Sequence, residues 1–140
     1  MKIVIDTNVV ISGVFFGGKP RMILEAVADG KLYACASAEI LCEYYEIIDE
    51  MISRGQGHFN RNVLLPLISA MEIVIPVSTI NASRDPDDNK FIECANDSGA
   101  LYIVSGDKDL LDIQEYNGVQ IVTASDFCSM YSGIFSKEGR

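Results

Sequence analysis

The sequence predicts an α/β fold organised around a mostly parallel sheet, and three observations lead there. Short runs rich in β-branched residues alternate with longer stretches of helical periodicity, the alternation that builds right-handed crossovers. The first run, Lys2-Ile3-Val4-Ile5, is almost wholly apolar, as in a strand covered by helices on both faces. An aspartate also stands just past the first and the fourth of these runs, where open α/β sheets place their sites.

In chain order, residues 2–5 form the first strand. Pro20 opens a helix after the Gly17-Gly18 turn, with Met22, Ile23, Ala26 and Val27 facing inward and Gly30 ending it. A short strand follows over 32–35, and Ser37 is placed to cap a long helix running to about Met51. Residues 53–60 (SRGQGHFN) are a polar connection, and 61–71 reads as a helix shortened or kinked by Pro66. Residues 72–77 are the third strand. Asp85 then caps a helix with Pro86 at its first position, which carries Phe91, Ile92 and Ala95 inward and ends near Gly99. Residues 101–105 form the fourth strand, Gly106–Asp109 turns into a helical turn or two, and 119–122 is the last strand. Ser125 or Asp126 caps a short final helix through Met130.

A chain of 140 residues suits a single core, and 49% hydrophobic with 22% charged residues excludes a disordered tail, collagen or a coiled coil. Eleven basic against twenty acidic residues give a net charge of −9, which excludes nucleic-acid binding driven by overall charge. A local basic patch, or metal ions that neutralise the acids, remains open. Cys35, Cys42, Cys94 and Cys128 form no C-x-x-C pair and His58 stands far from them, so a structural zinc site is not expected. Asp6 and Asn8 interrupt the apolar start and no cleavage site follows, so no leader is expected. No stretch approaches the roughly 20 apolar residues that span a bilayer. Buried, reduced thiols in a cytoplasmic protein with no membrane partner are the expectation.

Several acids are placed for chemistry. Asp6 and Asp107 follow strands, although either could simply cap a helix. Phe91, Ile92 and Ala95 lie at i+3, i+4 and i+7 from Asp88, which puts Asp88 on the buried stripe at the first turn of its helix. Asp87, rotated by about 100°, faces water. An inward acid needs a partner, and no lysine or arginine shares its stripe; a cation would serve. Glu39, Glu43, Glu46 and Glu50 line one face of the long helix, and Glu43 lies nearest the apolar arc of Ile40, Tyr44 and Ile47. Convergence of Asp6, Glu43, Asp88 and Asp107 would raise their pKa values by mutual repulsion. Such a cluster persists when it holds hard divalent cations, Mg²⁺ or Mn²⁺, and those serve phosphodiester or phosphoryl chemistry. No Walker loop, G-x-G-x-x-G or G-x-S-x-G is present to support a nucleotide cradle or a serine hydrolase.

Four segments together resemble the PIN domain, a metal-dependent ribonuclease fold that includes the VapC-type toxins of prokaryotic toxin–antitoxin pairs. They are Ile5-Asp6-Thr7-Asn8, the Ser37-to-Glu43 run, Asp85-Pro86-Asp87-Asp88-Asn89-Lys90-Phe91, and Val104-Ser105-Gly106-Asp107-Lys108-Asp109. The resemblance runs from Lys2 to about Tyr131, so residues 1–131 are read as the nuclease domain and 132–140 as a C-terminal tail. It implies a three-layer, Rossmann-like sheet of about five parallel strands with the acids at its carboxyl end. It also implies that Asp6, Glu43, Asp88 and Asp107 are the catalytic residues and the ligands of Mg²⁺ or Mn²⁺, with Asp109 a secondary ligand or merely a helix cap. Asn8 would support Asp6 or the substrate. The implied activity is hydrolysis of RNA, as the toxin of a pair with a cognate antitoxin, and a homodimer is expected. Lys19, Arg21, Arg84, Lys90 and Lys108 are the candidate phosphate contacts. Two alternatives stand beside this reading. A haloacid-dehalogenase-like phosphatase would need an aspartate where Asn8 stands, and a non-catalytic PIN-like binding module would not need its four acids.

Overall fold

The computed structural model describes residues 1–136. Its strands are β1 (Lys2–Ile5), β2 (Tyr33–Ala36), β3 (Glu72–Ile73), β4 (Tyr102–Val104), β5 (Glu115–Tyr116) and β6 (Val119–Val122). They form one sheet in the order β3-β2-β1-β4-β6-β5. All neighbours pair in parallel except β5 and β6, so the expected five parallel strands are joined by one antiparallel edge strand. The helices are α1 (Thr7–Phe15), α2 (Gly18–Ala28), α3 (Ala38–Ser53), α4 (Arg61–Ala70), α5 (Asn89–Ser98), α6 (Lys108–Leu111), α7 (Ala124–Met130) and α8 (Ser132–Phe135). They flank the sheet: α5 packs on β1, β2 and β4, while α2 joins α1 to α4, α7 and α8.

β1 is central because Ile3, Val4 and Ile5 are all fully buried, which a strand with one wet face would not allow. The buried Tyr44 hydroxyl of α3 donates to the Ile5 carbonyl and ties the helix to the strand end. Ser37 caps α3 by accepting from the Ile40 N–H at 3.3 Å, and Gly99, in the left-handed conformation at φ 75°, ends α5.

The differences from expectation have physical causes. Residues 7–15 carry no readable periodicity because α1 is buried almost all round, from Thr7 to Phe15. α2 begins at Gly18 rather than Pro20, and Met22 points outward while Leu24 takes the inward place. β3 has only two residues: after Val74 donates to the Ala36 carbonyl, the chain leaves the sheet at Pro76 and is held by Asp97. Asp97 accepts from the Ser78 hydroxyl and from the backbone of Ser78 and Val77, which holds its carboxyl down at about 2. Asp85 accepts from the Asp87 N–H, but the turn it caps, Pro86–Asp88, is a 3₁₀ turn leading into α5. Thr123, not Ser125 or Asp126, caps α7. Ser132–Phe135, expected in the tail, forms α8 against α2 and α7; residues 137–140 of that tail lie outside the described residues. The four cysteines are free thiols, three buried and Cys42 exposed. No helix among the described residues is long and apolar enough to cross a membrane.

A candidate metal centre at the sheet switch point

From β1 the chain winds outward through β2 to β3, and from β4 it winds the other way to β6, so the order reverses between β1 and β4. A crevice opens at the carboxyl ends of two such strands because their crossovers leave in opposite directions. Asp6 and Ser105 are the residues that follow those two strands. The Asp6 N–H donates to the Val104 carbonyl and the Ser105 N–H to the Val122 carbonyl, each at 2.9 Å, so sheet pairing continues through both and fixes their side chains.

Asp6 is buried, and its Oδ2 accepts from the Ser105 hydroxyl at 2.7 Å. The same hydroxyl oxygen accepts from the Asp107 N–H at 2.9 Å, so Ser105 links the two acids. Burial raises the Asp6 carboxyl above its ordinary value; the Ser105 bond works against that, and the charges of Asp107 and Glu43 add to it. Asp6 makes no side-chain cap on α1, which removes the capping alternative. Asp107 does cap the single turn of α6, but through a long 3.4 Å contact to the Asp109 N–H.

Asp88 is 9% exposed, and its Oδ2 is buried with no hydrogen-bond partner. Its carboxyl is pushed up to about 8, by burial first, then by the close approach of the Asp107 carboxyl and the charges of Asp107, Asp85 and Asp6. Asp6, Asp88 and Asp107 therefore share one electrostatic environment. Glu43 joins it as half of an ion pair. Its Oε1 accepts from the Thr7 hydroxyl, and its Oε2 lies 2.6 Å from the Lys90 ammonium, which also donates to the Asp87 carbonyl.

An orphaned carboxylate oxygen within an all-oxygen donor set fits a hard divalent cation. Among the described residues the tightest grouping is not the expected foursome. Asp85, Asp88 and Asp109 each offer an oxygen, and the three atoms lie within 4.8 Å of one another. Asp88 and Asp109 were expected as ligands; Asp85 was read only as a cap.

The expected phosphate contacts are dispersed. Lys90 is buried against Glu43, so it is an interior partner and not a surface cation, a correction caused by the reach of its four-carbon stem. Arg84 is paired with Asp109 at 3.0 Å and with Asp112. Lys108 is largely exposed and sits 3.3 Å from Asp112. Lys19 donates to the Ser125 hydroxyl, and Arg21 donates to the Gly13 and Val14 carbonyls at the end of α1. Asn8 is exposed at the start of α1, while the support for Asp6 comes from Ser105. Sequence reasoning missed Ser105, Thr7 and the structural role of Lys90. The first two had a signal, since each lies within two residues of a candidate acid.

Residues 2–109 match the family profile described as the PIN domain. The chain is also similar to a protein of Methanocaldococcus jannaschii described as uncharacterized, 36% identical over 121 residues that cover 84% of this chain and 77% of the relative. No solved structure matches it.

Proposed function

The chain belongs to the PIN domain family, and from that premise we propose that it is a Mg²⁺- or Mn²⁺-dependent ribonuclease that hydrolyses RNA phosphodiester bonds. The observation that carries the reading is the buried, unpartnered oxygen of Asp88 beside Asp6 and Asp107, a place whose chemistry lacks only a cation. Asp6, Asp88 and Asp107 would hold the metal, with Asp85 and Asp109 in reach and Glu43 at the rim. A bound divalent ion supplies a water of lowered pKa and stabilises the leaving oxygen. The protein's own part is orientation and charge. Ser105 donates to Asp6 Oδ2 and so fixes the rotamer of the Asp6 carboxylate. Thr7 and Lys90 hold the Glu43 carboxylate in place, and a cation bound at Asp88 would favour loss of the proton that burial holds there. Lys108 is more exposed than Arg84 or Lys90 and stands between Asp107 and Asp109 in the chain, open to a phosphate.

The form of the third and fourth motifs supports a finer reading: a cytoplasmic toxin of a toxin–antitoxin pair, restrained by a cognate antitoxin and working as a homodimer. The phosphatase alternative is disfavoured by Asn8, which has no proton to give where that chemistry needs an acid.

Cleavage of single-stranded RNA in Mn²⁺ and in EDTA, with Asp6→Asn alongside, tests the proposal. Wild type should cleave only with metal. Loss of a direct ligand should cost at least the roughly 100-fold upper figure known for residues that merely support ligands. Asp6→Asn should melt at or above wild type in EDTA, because it removes one of several repelling carboxylates. Activity on nitrophenyl phosphate with none on RNA would replace this reading with the phosphatase.

A further inference from the structure

At the far end of α1 from Asp6 lies a cleft of about 600 Å³ lined by Phe15, Phe16, Arg21, His58, Phe59 and Arg61 together with small and amide residues. We propose that this cleft binds a segment of single-stranded RNA, stacking a base on Phe16 and Phe59 and holding the adjoining phosphate with Arg61 and His58. The inference rests on RNA being the substrate, and it adds a contact site that the acid cluster does not contain.

Composition is the first argument. In a chain of twenty acids and eleven bases, no carboxylate lines this cleft, while two arginines and the only histidine do. Among the described residues no carboxylate forms an ion pair with Arg21, His58 or Arg61; the nearby Arg54 is satisfied by Glu50. A polyanion repelled by most of the surface meets unopposed positive charge here.

The second argument is the aromatic floor. Phe15 is buried, and the rings of Phe16 and Phe59 flank it at centroid distances of 6.5 and 5.7 Å. Phe16 is 65% exposed and Phe59 39%, so both aromatic side chains reach solvent within a cleft that Arg21 and Arg61 also line. One exposed phenylalanine needs no explanation. Two of them on a base-lined cleft form the stacking platform, interleaved with positive charge, that single strands use.

The third argument is rigidity. The last carbonyls of α1 are held from outside: Arg21 donates to Gly13 and Val14, the His58 N–H to Phe15 at 3.3 Å and the Asn60 N–H to Val14 at 3.1 Å. Gly57, at φ +68°, lets the 53–60 connection pass over the rings, since a Cβ there would lie 3.0 Å from the Phe16 ring. A framework fixed before binding loses little entropy when the strand docks. The nine residues of α1 set the cleft about 14 Å from the Asp6 end.

The test is binding of the full-length protein to a fluorescently labelled oligouridylate, and to an abasic strand of the same length, in EDTA so that nothing is cut. Phe16→Ala should weaken binding of the uridylate about tenfold while leaving the abasic strand unchanged, and Phe16→Tyr should restore it. Arg61→Gln should weaken both strands and lower the slope of log affinity against log salt by about 0.7. Unchanged affinities and slope in both variants overturn the cleft, as does a wild type that binds neither strand. Equal losses on both strands from Phe16→Ala overturn the stacking, and an acidic peptide is then the better occupant. Mn²⁺-dependent cleavage that persists beside a failed cleft leaves the nuclease reading standing. Intact binding with no cleavage under any metal overturns the nuclease reading and supports the cleft.

Discussion

Asp88 keeps its proton because burial and the neighbouring Asp107 charge make ionisation costly, and this has a consequence for stability. The folded state holds that proton up to about 8, while the unfolded chain releases it near the ordinary value of 3.8. The native state therefore binds more protons across that window, and stability falls as pH rises through it, by at most about 1.4 kcal/mol per unit. Metal-free Asp88→Asn should lack this loss. Melting curves in EDTA should show the variant gaining steadily on wild type toward pH 8 and gaining nothing further above it. Parallel profiles would mean that Asp88 is ionised throughout. Lys90 makes the complementary case. Its side chain is 7% exposed, whereas that of Glu43, 2.6 Å away, is 30% exposed. Breaking a fully buried pair costs about 3–5 kcal/mol; with Glu43 partly wet, Lys90→Met should cost about 1–3 kcal/mol in urea denaturation. Adding Glu43→Gln should recover part of the loss, and full additivity of the two changes would show that the pair is not coupled.

At the scale of elements, α1 and α2 cross at Gly13. A Cβ there would lie 2.5 Å from Leu24 Cδ1 and 3.1 Å from the Arg21 nitrogen, so only glycine lets the helices approach this closely. Alanine would gain about 1 kcal/mol of intrinsic helix propensity over glycine. Even so, Gly13→Ala should destabilise the fold by about 1–3 kcal/mol, because the packed interior must shift to admit the methyl group. A raised melting temperature would show that Leu24 swings aside at no cost. Legibility in the sequence follows from how each element is buried. α3 presents an apolar arc, an acidic face and a serine cap, and it was readable almost to the residue. α1 shows only a narrow polar edge, Asn8 and Ser12, on an otherwise buried helix, too little to set it apart from a buried strand by periodicity. β3 and β5 are two-residue edges whose existence depends on their neighbours.

For the whole molecule the net charge of −9 is the governing quantity. Mutual repulsion of exposed acids is screened by any salt, whereas a site made of converging carboxylates responds to a specific cation. At equal ionic strength Mn²⁺ should therefore raise the melting temperature more than potassium chloride does. The surplus should approach about 2.7 kcal/mol at a hundred times the dissociation constant and should shrink in Asp6→Asn. An identical response to both salts would reduce the cluster to diffuse surface charge.

Taken by itself, the sequence determined the alternation of strands and helices and the mostly parallel sheet, because these depend on local periodicity and caps. It also placed Asp88 on a buried stripe, and Asp88 is where the orphaned oxygen lies. Only the tertiary structure decided the partners. Lys90 is a candidate phosphate contact in the sequence only because it stands in the third motif; that it turns inward to Glu43 depends on the reach of its long side chain, which local spacing does not describe. Ser105 joins Asp6 to Asp107 because β1 and β4 are neighbours, a pairing between residues 99 positions apart that no local pattern encodes. The union of Phe16 with Phe59 and Arg61 arises in the same way, from a loop folded back on the end of a helix. Proximity between distant segments is a property of the packed chain, set by which buried faces find one another.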